Sequence, residues 1–254
     1  MDSVAVITPT IGRMAGLERC LNSVSQQTYQ GSIEHWVVGD HLPPDIEADV
    51  ANLCRRYGAR FRNDLRPIET AYQPVRTGRL RNLGVAESVA PLVAHLDDDN
   101  TFDADHIASL AELLSAKPAL DIAFSWRRML DEHDRPIPLY SYPWVISHRP
   151  VIAREVFDLL AAEGFFEAGS AIIRDRIPDA AGDLNHIDSS EWMMRRHVFE
   201  RVRFCETATP REMIYQFSED YLFCRDAQAA GFQFGCTEHV SLNYYLGGYG
   251  GACA

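Results

Sequence analysis

In residues 91–100, Pro-Leu-Val-Ala-His-Leu-Asp-Asp-Asp-Asn, a short apolar run from Leu92 to Leu96 leads into three consecutive carboxylates, Asp97, Asp98 and Asp99. Adjacent anions repel one another and cannot be buried without partners. The fold must therefore bring this point to the surface or hold it around a cation. A solvated acidic turn at a helix N-cap meets the first condition. A hard divalent ion such as Mg²⁺ or Mn²⁺ meets the second, since such ions take oxygen ligands, commonly one or two carboxylates together with substrate phosphates. In open α/β sheets ligands collect beyond the carboxyl ends of the strands, and the triplet stands at the end of a segment that reads as a strand.

The preceding chain alternates two periods. Val4 to Thr8 is a β-branched strand closed by Pro9, and Leu17, Leu21 and Val24 share one face of a helix over 14–26. A second strand, Ile33 to Val38, ends at Gly39-Asp40-His41. Pro43-Pro44 opens a helix with Ile46, Val50 and Leu53 on its apolar face and Gly58 past its end, and 59–62 is a weakly patterned third strand. This order predicts a parallel sheet with right-handed crossovers. Arg76, Arg79 and Arg81 fall in a basic loop that runs into a helix ending near Ser88. They read either as a solvated helix face or as partners for phosphate or carboxylate, which suit the planar guanidinium fork. Cations on one element and clustered carboxylates on the next favour a nucleoside diphosphate.

With 254 residues, the chain can bury a substantial core. A formal charge of −12 argues against a nucleic-acid partner. The six cysteines lack CxxC spacing, so neither a zinc site nor a disulfide framework is indicated. Residues 1–7 read as a first strand rather than a signal segment, and no apolar run reaches membrane-spanning length. A soluble, cytoplasmic protein is the expectation.

Residues 4 to about 115 resemble the nucleotide-sugar half of a family 2, GT-A type glycosyltransferase. The resemblance rests on Val4-Ala-Val-Ile-Thr-Pro-Thr with Arg13, Val38-Gly-Asp40, Leu80-Arg-Asn-Leu-Gly84 and Leu96-Asp-Asp-Asp-Asn100. It implies an α/β fold, a Rossmann-like, mostly parallel sheet flanked by helices, in one domain of two halves: 1–115 for the nucleotide sugar and 116–254 for the acceptor and catalytic base. Thr8, Pro9, Thr10 and Arg13 would lie on the donor side and Asp40 at the base or ribose. Arg81, with Arg76, would lie near the base and diphosphate. Asp97 and Asp99 match the outer positions of the family's Asp-x-Asp motif, with Asp99 as metal ligand and Asp97 or Asp98 reaching the ribose. Gly39-Asp40-His41-Leu42 departs from the Asp- and Ser-rich run common at that point, and Thr77-Gly-Arg-Leu-Arg-Asn82 departs from the usual Ala-Arg-Asn form.

The second half reads as a helix over 103–116, a strand over 120–126 and a polar hairpin tip at 131–136. An aromatic run over 139–146 follows, either strand and core or an acceptor platform. Further strands fall over 167–173 and 188–194, the latter passing into a short helix on whose surface His197 would lie. The resemblance makes Glu191 and Trp192 candidates for acceptor contact. Ser218 N-caps a helix that ends at Gly231, with Glu219 and Asp220 in its first turn. Those two acids suit a helix start by themselves. They also match the family's catalytic-base helix, with Asp220 as base and Glu219 orienting the acceptor or the helix start. His239 is the histidine available as a further metal ligand, although the family slot falls nearer Asn243 or Tyr244. Gly247–Gly251 is a lid or a frayed end.

The function expected from these features is inverting transfer of a sugar from a nucleoside-diphosphate sugar, a UDP sugar first, to an acceptor hydroxyl with Mn²⁺ or Mg²⁺. A nucleotidyltransferase of similar fold is one alternative, but it would carry a Gly-rich, Lys-containing loop that Thr8–Arg13 is not. A non-catalytic sugar-nucleotide-binding protein is the other.

Overall fold

A computed structural model describes residues 1–144, 149–177 and 187–246; the expectations for 145–146 and for Gly247–Gly251 lie outside them. In chain order the elements are β1 (Val4–Thr10), α1 (Met14–Ser25), β2 (Ile33–Asp40), α2 (Pro44–Arg56), β3 (Arg60–Asp64), α3 (Gln73–Glu87), β4 (Leu92–His95) and β5 (Thr101–Phe102). There follow α4 (His106–Ala116), β6 (Ile122–Leu130), α5 (Pro150–Ala162), β7 (Ile172–Ile173), β8 (Trp192–Arg195), α6 (Pro210–Tyr215), α7 (Glu219–Ala229) and β9 (Phe234–Tyr245).

The strands form one mixed sheet in the order β3-β2-β1-β4-β8-β6-β9-β5, with β7 paired to β6. β1 to β4 are mutually parallel, β8 runs antiparallel between β4 and β6, and β9 returns parallel to β6. Period-two alternation divides β1 between two cores. Ala5 and Ile7 pack with Val85, Trp192 and Phe223, while Val4 and Val6 pack with Cys20, Val24 and Leu110 on the other face. Helices cover both faces, which is why β1 reads as a continuous apolar run rather than an alternating one. Among the described residues no helix is long and apolar enough to cross a membrane.

Four local readings are corrected. The expected basic loop at Arg76 is already helical, because Pro74 sits in the first turn of α3, where a missing N–H costs nothing. Residues 139–144 form no strand. Leu139 is buried with Phe157, Phe165 and Phe166, and Tyr142 and Trp144 pack against that cluster. The strand expected over 167–173 contracts to β7, and the one over 188–194 begins as a 3₁₀ turn, Ser189–Glu191, before β8.

Candidate active site

The carboxyl ends of β1, β2 and β4 open into a cleft of about 360 Å³. Asp97, Asp98 and Asp99 form its floor, Asp40 and Arg76 one end, and the start of α7 a wall. The three acids differ in partners. The Asp98 side chain is 2% exposed, accepts a 2.5 Å hydrogen bond from Thr10 Oγ1 and is ion-paired with Arg13. Arg13 Nη1 also reaches Asp99 Oδ2 at 2.9 Å, and Arg81 Nη2 holds Asp97 Oδ1 at 2.6 Å. The outer two side chains keep access to the cleft, 30% for Asp97 and 19% for Asp99. Burial pushes Asp99 up to about 7; Asp97 and Asp98 add to the rise and Arg13 opposes it. Beneath the turn, α1 comes so close that a Cβ on Gly16 would lie 2.9 Å from the Asp98 carbonyl.

Arg81 is only 1% exposed and does not face the cleft. From α3 its guanidinium bridges Asp97 and, at 3.3 Å, Glu219 Oε1, tying the acidic turn to α7 from behind. Burial drives Glu219 up to about 8, against the pull of Arg81 and with Asp220 and Asp97 adding repulsion. Ser218 caps α7, and its hydroxyl donates to Asp220 Oδ1, which also accepts from the Tyr221 N–H at 2.7 Å. Asp220 is thus oriented in the first turn of α7, and it lines the cleft. At the other end Arg76 pairs with Asp40 at 2.5 Å.

A divalent cation fits this donor set. Asp97 and Asp99 offer hard oxygen ligands toward the cleft, and burial together with the neighbouring Asp97 and Asp98 raises Asp99, a cost of ionisation that a bound cation would offset. Among the described residues no group of three His, Cys, Asp or Glu side chains surrounds one point.

Other sequence candidates lie elsewhere. Thr8 is fully buried with its hydroxyl 2.9 Å from His35 Nε2, so the cleft is lined by Pro9 and Thr10 instead. His239 is half-exposed 3.8 Å from Asp105 and does not line the cleft; Tyr244, near the end of the same strand, does. Glu191 and Trp192 are both completely buried, Glu191 against Arg127 and Trp192 against Phe204 and Phe223, so neither can touch an acceptor. His197 lies on the surface beside Asp121, as its sequence position suggested. Asp188 was not anticipated as a lining residue, and Tyr244 was pointed to only as a position near the family's metal slot. The signal for Asp188 was present in Asp188-Ser-Ser-Glu191, the spacing of a capping box, which turns the Glu inward onto backbone and leaves the Asp at the turn's outer end.

Several solved glycosyltransferases share this architecture. S. aureus TarS 1-349 superposes with a TM-score of 0.61 at 15% identity, covering 96% of this chain and 60% of that one. The same TarS segment in complex with UDP-GlcNAc gives 0.62 at 14% identity, with 99% and 61% covered. The mannosyltransferase PcManGT from Pyrobaculum calidifontis, in complex with GDP-Man and Mn²⁺, gives 0.61 at 14% identity, with 97% and 58% covered. The fold is therefore that of the GT-A glycosyltransferases, and the chain spans about 60% of the length of these structures. Residues 5–203 match the sequence family Glycosyl transferase family 2, and the chain belongs to that family. No curated protein matches it in sequence.

Proposed function

We propose that the chain transfers a sugar from a nucleoside-diphosphate sugar to an acceptor hydroxyl with inversion, assisted by a divalent cation, with Asp220 as general base. One observation carries this reading. The acidic turn after β4 and the first turn of α7 face the same cleft and are joined by Arg81, so a diphosphate held at one places its sugar beside the other. The TarS structure with UDP-GlcNAc and the PcManGT structure with GDP-Man and Mn²⁺ support the donor class.

In this reading Asp40 and Arg76 bind the nucleoside, and Arg13 and the acidic turn address the diphosphate. Asp97 and Asp99 would hold the cation, which when bound supplies Lewis-acid stabilisation to the departing diphosphate. Arg13 adds a fixed positive charge beside it. Asp220 accepts the proton of the acceptor hydroxyl as that oxygen attacks the anomeric carbon from the face opposite the leaving group. Ser218 and the Tyr221 N–H occupy Oδ1, which leaves Oδ2 to take the proton. Glu219, tied to Arg81, positions the start of α7.

The test is Asp220→Asn. Release of nucleoside diphosphate from UDP-GlcNAc or GDP-Man in Mn²⁺ should fall at least ~100-fold, the scale of a lost general base. Affinity for UDP or GDP should stay within about twofold, as those ligands never meet the base. Undiminished release would remove Asp220 from the role.

A further inference from the structure

Behind the wall of the cleft formed by Asp188 and Tyr244 lies a second buried arginine. Arg127 on β6 is 1% exposed, and its Nη1 is 2.9 Å from Asp175, 3.2 Å from Glu191 and 3.5 Å from Asp188. Its guanidinium carbon lies 5.2 Å from the Trp144 ring centre and 5.5 Å from that of Tyr244. One cation thus faces three carboxylates in a nearly dry environment. Burial pushes Glu191 well above the usual carboxylate range, Asp175 adds to the rise and Arg127 opposes it. Of the three carboxylates, Asp188 is the one that lines the cleft.

The backbone ties this cluster to the site. Glu191 Oε2 accepts from the Asp188 N–H at 2.9 Å, Asp188 Oδ1 accepts from the Ser190 N–H at 2.9 Å, and Ser190 Oγ accepts from the Asp97 N–H at 3.2 Å. Asp188 is nine-tenths buried yet lines the cleft. Along the sheet edge, β4 with its acidic turn separates β2, which carries Asp40, from β8 and β9, which bring Asp188 and Tyr244. Asp188 therefore stands at the end away from the nucleoside, with Asp97 between.

We propose that Asp188 accepts a hydrogen bond from a sugar hydroxyl at the reacting end of the cleft, and that Arg127 is a positioning residue that aims Asp188 and fixes its turn against Asp97. The ligand class is a neutral polyol. A second anion placed there would meet Asp188, Glu219 and Asp220 together. The inference rests on the glycosyl-transfer reading.

Asp188→Asn keeps the shape and an N-cap oxygen for Ser190, so it tests the charge without undoing the turn. Arg127→Lys keeps a cation but replaces the planar guanidinium, whose Nη1 faces all three carboxylates, with a point charge on a flexible stem. With whichever of UDP-GlcNAc and GDP-Man the wild type turns over in Mn²⁺, each variant should release nucleoside diphosphate at least about tenfold more slowly. UDP or GDP affinity should stay within about twofold. The double variant should be no slower than the slower single one, because both changes act through one carboxylate. A merely structural Arg127 would instead lose nucleotide affinity along with turnover and leave Asp188→Asn at the wild-type rate, and that result overturns the inference alone. A wild type that turns over neither donor overturns the glycosyl-transfer reading and this inference with it.

Discussion

Asp97, Asp98 and Asp99 look equivalent in sequence and are not equivalent in the fold. Asp98 is spent on Thr10 and Arg13, which anchors the turn, while its neighbours look into the cleft. A pH dependence follows. Asp99 and Glu219 sit near 7 and 8, whereas the same carboxyls ionise near ~4 in an unfolded chain. The folded state holds more protons between those limits, so its stability relative to the unfolded chain falls as pH rises through about 7 and then about 8. Thermal melts of the nucleotide-free protein should show the midpoint dropping across that window, and Asp99→Asn should flatten the lower part of the fall. A midpoint that rises over the window would contradict the placement of these two acids. The outer Asp residues were legible from the family's spacing. The burial of Glu191 and Trp192 was not, because a sequence shows that a residue is polar or aromatic but not whether a buried arginine or a phenylalanine cluster waits behind it.

At the scale of elements, the site depends on two close fits. Ser218 both caps α7 and donates to Asp220. Ser218→Ala should cost about 1 kcal/mol, a drop of roughly 2–4 °C in melting temperature for a chain of this size, and should slow turnover by freeing the Asp220 side chain. At the other fit α1 presses Gly16 onto the Asp98 peptide. Gly16→Ala must push that turn away. It should cost about 1–3 kcal/mol as an overpacking change and weaken UDP or GDP binding in Mn²⁺ by more than the stability loss explains; unchanged affinity at equal folding would show that the turn tolerates the shift. Elements with strong apolar periodicity, such as α1 and α2, were readable within a residue or two. α6 was not, since it has six residues, buries none of them and is defined by the Thr209–Glu212 capping box alone. The aromatic run before α5 packs as core, as one reading had it, but without the strand, because Tyr and Trp suit strands and cluster cores equally well.

For the whole molecule, the parallel pairing of the first strands followed from alternation of strand and helix, but the order β3-β2-β1-β4 and the insertion of β8 antiparallel between β4 and β6 did not. That insertion joins the two halves of the chain in one sheet and brings the Asp188 turn beside Asp97. It is a long-range pairing, and a single sequence carries little signal for which strands meet across so many residues. The outcome is one cleft with the ion pair Asp40 and Arg76 at one end and Asp188 and Tyr244 at the other. The central claim is that this cleft binds a nucleoside diphosphate through a divalent cation on the acidic turn. Isothermal titration of UDP and of GDP, each in Mn²⁺ and in EDTA, tests it directly. At least one nucleotide should bind in Mn²⁺, and its affinity should fall at least about tenfold in EDTA and likewise in Asp99→Asn. No binding of either nucleotide, or equal affinity with and without the metal, would contradict the claim.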